Sequence, residues 1–303
     1  MPAFSCIIDK SIPEGLRLDR YIAENLKILS RSQIKARKLE GRLDGRAVKL
    51  SRILKGGELL ELSWSEAECP FLVPEDIPLE IIYEDNRVIV VNKAQGMVVH
   101  PGAGNSRGTL ANALLYRRLE KIQGAAATDA GLRPGIVHRL DKDTSGLIIA
   151  AWDDEALAFL AAQFKARKVR KSYAALVRGC PKDNKGCIDK NIVRSRGDRK
   201  IFTVSQDKGR PSLTYFKLVR SYGDYSLLLL RPKTGRTHQI RVHMKYLGLP
   251  ILGDPIYGKA DPRFPNSTLM LHAKRLTLVL PSGKSETFRT MLPQRFKMIR
   301  GKR

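Results

Sequence analysis

Two short runs of charged residues set among apolar ones mark where this chain could do chemistry. The first is Gly135-Ile136-Val137-His138-Arg139-Leu140-Asp141-Lys142-Asp143-Thr144-Ser145-Gly146-Leu147-Ile148-Ile149. Its charged centre lies between two apolar stretches, which puts a carboxylate at the mouth of a buried strand. There it is desolvated and aimed, as a nucleophilic carboxylate must be. The second run is Thr234-Gly235-Arg236-Thr237-His238-Gln239-Ile240-Arg241. It opens a predicted helix, where backbone N–H groups and the dipole favour anions. Arg241, one turn in, is positioned to pair with a buried aspartate, keep it ionised and hold its orientation. On these residues alone a second account of Asp141 stays open: a turn cap, or one half of an Asp–Arg pair that serves packing.

Other chemistries find less support. His238 and His243 are five residues apart, the wrong spacing for a metal pair on one helix face, and no cysteine joins them. The Gly-rich stretch Gly102–Thr109 is not followed by the lysine of a phosphate loop. Asp141-Lys142-Asp143-Thr144 has the DxDxT spacing of an aspartyl-phosphate phosphatase. That motif needs its long apolar strand before the first aspartate, and here the strand follows. Neither a metal nor a cofactor is expected.

The elements that must position these residues can be read from periodicity. Leu79–Glu84 and Arg87–Val91 read as strands joined at Asp85-Asn86, and Ser145–Trp152 as an apolar strand. Asp153 caps a helix to about Arg167, with acids at its start and bases at its end. Ser172–Arg178, Tyr225–Arg231 and Leu276–Leu280 read as strands, and Thr237–Leu247 as a helix stopped by Gly248. Strands outnumber helices and alternate with them irregularly, so the expected class is α+β with a mixed, mostly antiparallel sheet. Trp64 and Trp152 are assigned to the core, as are Phe202, Tyr215 and Phe216, although the last three lie in a basic stretch where RNA stacking is the alternative.

Three prolines at four-residue spacing, Pro70, Pro74 and Pro78, form a stiff linker over residues 70–78. They separate a small module, residues 12–69, from a large domain, residues 79–303. In the module, Leu16, Leu18, Tyr21, Ile22 and Leu26 have a helical period, and short strands are expected around Val48 and Leu59–Leu62. Ser30 opens a second predicted helix with Gln33 at the capping-box position. Arg31, Lys35, Lys38 and Arg42 follow at i, i+4, i+7 and i+11 and would share one face of it, with Ile34 and Leu39 turned to the core. A face of one sign, with almost no acids to pair with, repels itself and gains when phosphates neutralise it.

Charge extends the same argument to the whole chain. Its 303 residues carry a net charge of +25. Lys27–Lys55 holds ten basic residues against Glu40 and Asp44, Lys165–Arg220 holds seventeen against four acids, and the tail from Lys284 holds seven against Glu286. Three separate basic blocks suit an extended polyanion better than one small anion, and nucleic acid is the expected partner. A non-enzymatic RNA-binding or ribosome-assembly factor fits the charge equally well. The four cysteines, Cys6, Cys69, Cys180 and Cys187, have neither metal nor disulfide-framework spacing. No run approaches a membrane span, and the N-terminus lacks the pattern of a signal peptide. These features lead to the expectation of a cytoplasmic protein away from the membrane.

The run His138–Leu147, HRLDKDTSGL, resembles the HRLDxxTSG signature of the RluA-type pseudouridine synthases. GMVVHPGAGN, GTLANALL, KSYAALV, TGRTHQIRVHM and ILGDPIYG also resemble that family, in its order, between about Asp76 and Leu292. The likeness is strongest to the branch that modifies large-subunit ribosomal RNA. The N-terminal module, with its Asp44-Gly45-Arg46 turn, resembles the small alpha-L RNA-binding fold shared with a ribosomal small-subunit protein. The resemblance implies four roles: Asp141 as nucleophile, Arg241 as its partner, Tyr173 as the aromatic that stacks on the target base and helps remove a proton, and Arg139 as the side chain that fills the space left by a flipped base. It implies an isomerase that needs no cofactor. Its substrate would be RNA, with large-subunit ribosomal RNA first, and a monomer is the expected state.

Overall fold

The computed structural model describes residues 3–26, 28, 29, 34, 37–65, 72–102, 104–121, 134–195, 197, 198 and 201–301. The chain divides into two compact units, Met1–Phe71 and Leu72–Arg303.

In the first unit, strands β1 (Ala3–Ile7), β2 (Glu40–Leu43), β3 (Arg46–Val48) and β4 (Leu59–Ser63) form an antiparallel sheet in the order β1-β4-β2-β3. Period-2 alternation turns Leu43, Leu60 and Leu62 inward. They pack against Leu18 on the short helix α1 (Leu18–Arg20) and against Tyr21 and Ile22 on its wider continuation, Tyr21–Leu26. The β2–β3 hairpin turns on Asp44 and Gly45, whose φ values of 48° and 75° are those of the two-residue turn that matches strand twist.

The expected helix from Ser30 through Arg42 is corrected here. Ser30, Arg31, Gln33 and Lys35 lie outside the described residues. Lys38 has φ 47°, and the Leu39 N–H donates to the Ile34 carbonyl at 3.1 Å, the closing bond of a left-handed helix stop. Ser65 seals the same end by donating its N–H and hydroxyl to the Arg37 carbonyl at 3.0 and 2.8 Å. The chain then enters β2, and Arg42 stands on the exposed face of that strand opposite Glu61. Lys38 and Arg42 therefore do not share a helix face. Ile34 and Leu39 are buried, as the sequence predicts.

The second unit is built on one ten-stranded sheet. Its strands are β5 (Glu80–Glu84), β6 (Val88–Lys93), β7 (Gly135–Ile136), β8 (Ser145–Ala151), β9 (Arg170–Arg178), β10 (Lys185–Asp189), β13 (Leu213–Ser221), β14 (Tyr225–Pro232), β15 (Leu271–Val279) and β16 (Ser285–Arg289). A separate hairpin, β11 (Asn191–Arg194) and β12 (Phe202–Ser205), completes the strands. The main path runs β10-β13-β14-β9-β15-β8-β6-β5, with β16 added to β15 and β7 to β8. Every pairing in it is antiparallel except β8 with β15. The class is α+β, as expected.

Strand β8 is buried on both faces. Leu147 and Ile149 face helix α3 (Asp154–Lys165), while Ile148 and Ala150 face the other core, which includes Leu110 and Leu114 of α2 (Leu110–Lys121) and Ile240 and Met244 of α4 (Gln239–Tyr246). That double burial explains the unbroken apolar run. Asp153 caps α3 by accepting from the Ala156 N–H at 2.8 Å, and its carboxylate also takes Arg87. Trp64 and Trp152 are core residues, whereas Tyr215 is 42% exposed, contrary to its core assignment, because it points off the outer face of β13. A short 3₁₀ helix, Gln294–Gly301, returns over the sheet. No helix among the described residues is long and apolar enough to cross a membrane.

The crossing of β8 and β15 depends on a glycine. Gly146 has φ 119°, and a Cβ there would stand 2.4 Å from the Ala273 carbonyl oxygen and 2.5 Å from its nitrogen. Gly146→Ala should therefore lower stability by about 1–3 kcal/mol or more. Denaturant unfolding is the check, with a lower midpoint expected at unchanged slope.

Candidate active site

Asp141 sits on the turn that feeds β8. The turn closes when the Thr144 N–H donates to the Asp141 carbonyl at 3.1 Å. The segment after β6 grips it from one side. Lys93 Nζ donates to the carbonyls of Ala94 (2.7 Å), Met97 (2.8 Å) and Lys142 (3.1 Å), the Gly96 N–H also reaches the Lys142 carbonyl (2.9 Å), and Gln95 Nε2 holds the Asp143 carbonyl (2.9 Å). Lys93 is 1% exposed. Burial pushes its ammonium down to about 8, against the pull of Asp143 and Asp141. Three carbonyl acceptors match the three donors of the charged form, which persists at neutral pH.

Arg241 approaches from α4. Its NH1 lies 3.4 Å from Asp141 Oδ2, and the two form an ion pair with side-chain exposures of 3% and 20%. The stronger bonds of Arg241 go elsewhere. Its Nε donates to Asp254 Oδ2 at 2.8 Å and its NH2 to Asp254 Oδ1 at 2.7 Å, a two-pronged pair in which the Asp254 side chain is 0% exposed. Asp254 Oδ1 also accepts from the N–H groups of Ile256 and Tyr257, at 2.9 and 3.0 Å. Burial alone would raise the Asp254 pKa, but Arg241 and these N–H groups hold it below the usual carboxylate range. The sequence pairs Arg241 with one carboxylate; the structure gives it two, and Asp254 is the one that fixes it. A signal for this lies in Ile251-Leu252-Gly253-Asp254-Pro255-Ile256, where a lone acid among apolar residues needs a buried partner.

Tyr173 on β9 forms the wall beside Asp141 and is 8% exposed. Burial, and next the Asp141 charge, push its phenol well above the ordinary range, so it stays protonated. Leu140, Ile240 and Leu271 supply apolar lining to the same cavity, of about 100 Å³. Arg139, exposed, stands at its rim. The structure thus brings together Asp141, Tyr173, Arg241 and Arg139, while Lys38 and Arg42 belong to the other unit.

The loop Thr234–Thr237 is tied to the helix that follows it through Gln239. Gln239 Oε1 accepts from the Arg236 N–H at 3.0 Å and from the Thr234 hydroxyl at 2.7 Å, and Gln239 Nε2 donates to the Leu213 carbonyl. Helix α4 starts at Gln239, after His238, which holds φ 55° and bonds Tyr257 Oη through Nδ1 at 2.9 Å. His238 lines the Asp141 cavity, a place that its spacing from His243 did not foreshadow.

A carboxylate paired with a buried guanidinium, beside a buried phenol and with an exposed arginine at the rim, has the groups that nucleophilic chemistry on a flat ring would need. Over residues 87–246 the sequence matches the family described as RNA pseudouridylate synthase. The chain belongs to the RNA pseudouridylate synthase family. It is 44% identical to the ribosomal large subunit pseudouridine synthase D of Borreliella burgdorferi, across 93% of this chain and 88% of that protein. Against the protein of the same name from Zymomonas mobilis it is 40% identical, across 94% and 93%. Among solved structures, human RNA pseudouridylate synthase domain containing 1 superimposes with a TM-score of 0.57 at 30% identity, covering 72% of this chain and 84% of that one. The synthase is an isomerase, as the resemblance implied.

Two expected outcomes follow from the supports of the site. Asp254→Asn strips Arg241 of its buried counter-charge and should cost about 3–5 kcal/mol of stability. Below its melting point the variant should also be inactive; full activity in the folded variant would show that Asp254 does not hold Arg241. Lys93 has a folded pKa of about 8 against an ordinary 10.5, so the unfolded chain binds more protons between those values and stability rises with pH across that window. The stability of wild type minus that of Lys93→Met should grow by up to roughly 3 kcal/mol over that window, read from denaturant melts at each pH. A flat difference would mean that burial does not depress Lys93.

Proposed function

We propose that the synthase converts uridines of large-subunit ribosomal RNA to pseudouridine, with Asp141 as the nucleophile. The reaction breaks C1′–N1, forms C1′–C5, moves the C5 proton to solvent and leaves N1 protonated. It is redox-neutral and transfers no group from a donor, so the chemistry requires no cofactor. Attack by the Asp141 carboxylate at C1′ or at C6 gives a covalent intermediate, and both routes reach the same product.

The observation that carries this reading is the pairing of Asp141 with Arg241 at 3.4 Å in a cavity walled by Tyr173. Arg241 holds the carboxylate in place at the cavity. The target base must leave its stack at a cost of a few kcal/mol. Tyr173 offers a buried aromatic face, and stacking on such a face returns about 1–3 kcal/mol per base. Its raised pKa suits a stacking platform that remains a neutral phenol. Arg139 has the reach and exposure to occupy the space the base vacates. Ribosomal RNA as the substrate is supported by the names of the two bacterial relatives and by the net charge of +25.

In this reading the N-terminal unit is an RNA-binding module, and the exposed Lys38 and Arg42, with Arg31 and Lys35, contribute to its footprint through phosphates. The protein works as a monomer in the cytoplasm. The free thiols Cys6, Cys180 and Cys187 suit a reducing compartment, and light scattering checks the monomer.

Pseudouridine mapping of cellular RNA with and without the gene tests the substrate: large-subunit ribosomal sites should vanish in its absence. Asp141→Asn should retain RNA affinity within about threefold and form no product. Substantial pseudouridine made by that variant would refute the nucleophile, and loss confined to other RNAs would refute the substrate.

A further inference from the structure

A second cavity of about 570 Å³ adjoins the Asp141 cavity and shares with it Arg139, Lys171, Thr234, Gly235 and Arg236. Six cations line it: Arg139, Lys165, Arg167, Lys171, Lys233 and Arg236. No Asp or Glu does, and among the described residues none of the six pairs with a carboxylate. A solvated basic rim would account for Lys165 and Lys233, which are exposed. It does not account for Lys171.

Lys171 sits on β9, two residues before Tyr173, partly buried at the wall between the two cavities. Burial lowers its pKa, and no counter-charge offsets that. A partly buried ammonium with no carboxylate partner is stabilised when an anion arrives beside it. Its Nζ stays reachable because Gly235 faces it; a Cβ at Gly235 would stand 3.6 Å from that nitrogen. The floor beneath is flat and neutral. The His138 ring stacks on Phe164 with centroids 4.6 Å apart, and its Nε2 accepts from the Ile149 N–H at 3.1 Å, so the ring carries no charge into the cavity. Arg167, which also lines the cavity, is fixed as the left-handed stop of α3: its N–H donates to the Phe164 carbonyl at 3.2 Å and the Lys168 N–H to the Gln163 carbonyl at 3.0 Å.

We infer that this second cavity is a phosphodiester subsite, in which Lys171 and Arg236 bind the backbone phosphate next to the uridine presented to Asp141. The inference rests on the reading that the substrate is RNA. It gives the basic rim a defined role, since anchoring the flanking phosphate positions the strand while the target nucleotide turns out of it. Lys171 reaches from the wall shared by both cavities, so it touches the strand at the point where the backbone must bend.

The test uses the full-length protein and an oligoribonucleotide spanning a mapped target uridine. Each of the two phosphates flanking that uridine is replaced in turn by a neutral methylphosphonate. At one of them, wild-type affinity should fall about tenfold, the loss expected for one charge-assisted contact. Lys171→Met and, separately, Arg236→Gln should lose a similar factor on the unmodified oligonucleotide, respond little to that methylphosphonate, and flatten the salt dependence by about 0.7 of a log unit per log unit of salt. Thermal melting controls for folding, and Lys171→Met should melt no lower than wild type because it removes an unpaired charge. Unchanged affinity in both variants, or a methylphosphonate loss equally large in wild type and variants, would overturn the subsite. A wild-type protein that modifies no uridine in any RNA would instead sink the parent reading, and the subsite with it.

Discussion

Arg241 and Asp254 are the fixed point of the site. Both side chains are withdrawn from water, and each alone would be an expensive charge to bury. Together they form two short bonds, and two backbone N–H groups complete the Asp254 carboxylate. The geometry leaves Arg241 with one guanidinium nitrogen to offer, and it points at Asp141. A single arginine–aspartate pair would swing with its flexible stem. Anchoring the guanidinium on a second, deeper carboxylate removes that freedom, so the direction of its charge is set before any substrate arrives.

The proposed nucleophile is restrained independently, through its backbone. Lys93, Gln95 and Gly96 hold the carbonyls of Lys142 and Asp143. On the far side Arg295 donates to the Ser145 hydroxyl at 2.6 Å and to the Leu271 carbonyl at 3.3 Å, and Ser145 bonds His272. The turn carrying Asp141 is thus pinned by side chains from β6 and from the C-terminal 3₁₀ helix, while the acid itself stays 20% exposed. Rigidity in the support and access at the reacting atom are separated between backbone and side chain.

Much of this was legible from residue patterns, and the failures have physical reasons. Strand β8 could be read because burial on both faces leaves an uninterrupted apolar run, and α3 because Asp153 is an N-cap with acids after it and bases at the other end. Helix α2 escaped: its start is marked by Thr109 and Asn112 bonding each other's N–H groups, where the familiar signature has Glu or Gln at that position. The basic helix face failed for a different reason. Spacing of i, i+4, i+7 and i+11 holds only if the chain continues straight, and Lys38 reverses it in a conformation usually flagged by glycine. Asp141 and Arg241 stand out as charges set among apolar residues, and the resemblance adds their roles; the part Lys93 plays depends on the Lys142 carbonyl 49 residues away, which no local pattern encodes.

The one parallel pairing in the large sheet carries a consequence for biosynthesis. Ser145 and His272, bonded across β8 and β15, are 127 residues apart in the chain. The strand that buttresses the Asp141 turn is thus made long after the turn itself, and contacts of such separation form late and slowly. A nascent polypeptide carries the Asp141 turn well before it has the strand that supports it. The pocket around Asp141 is therefore complete only once β15 has been made and has paired with β8.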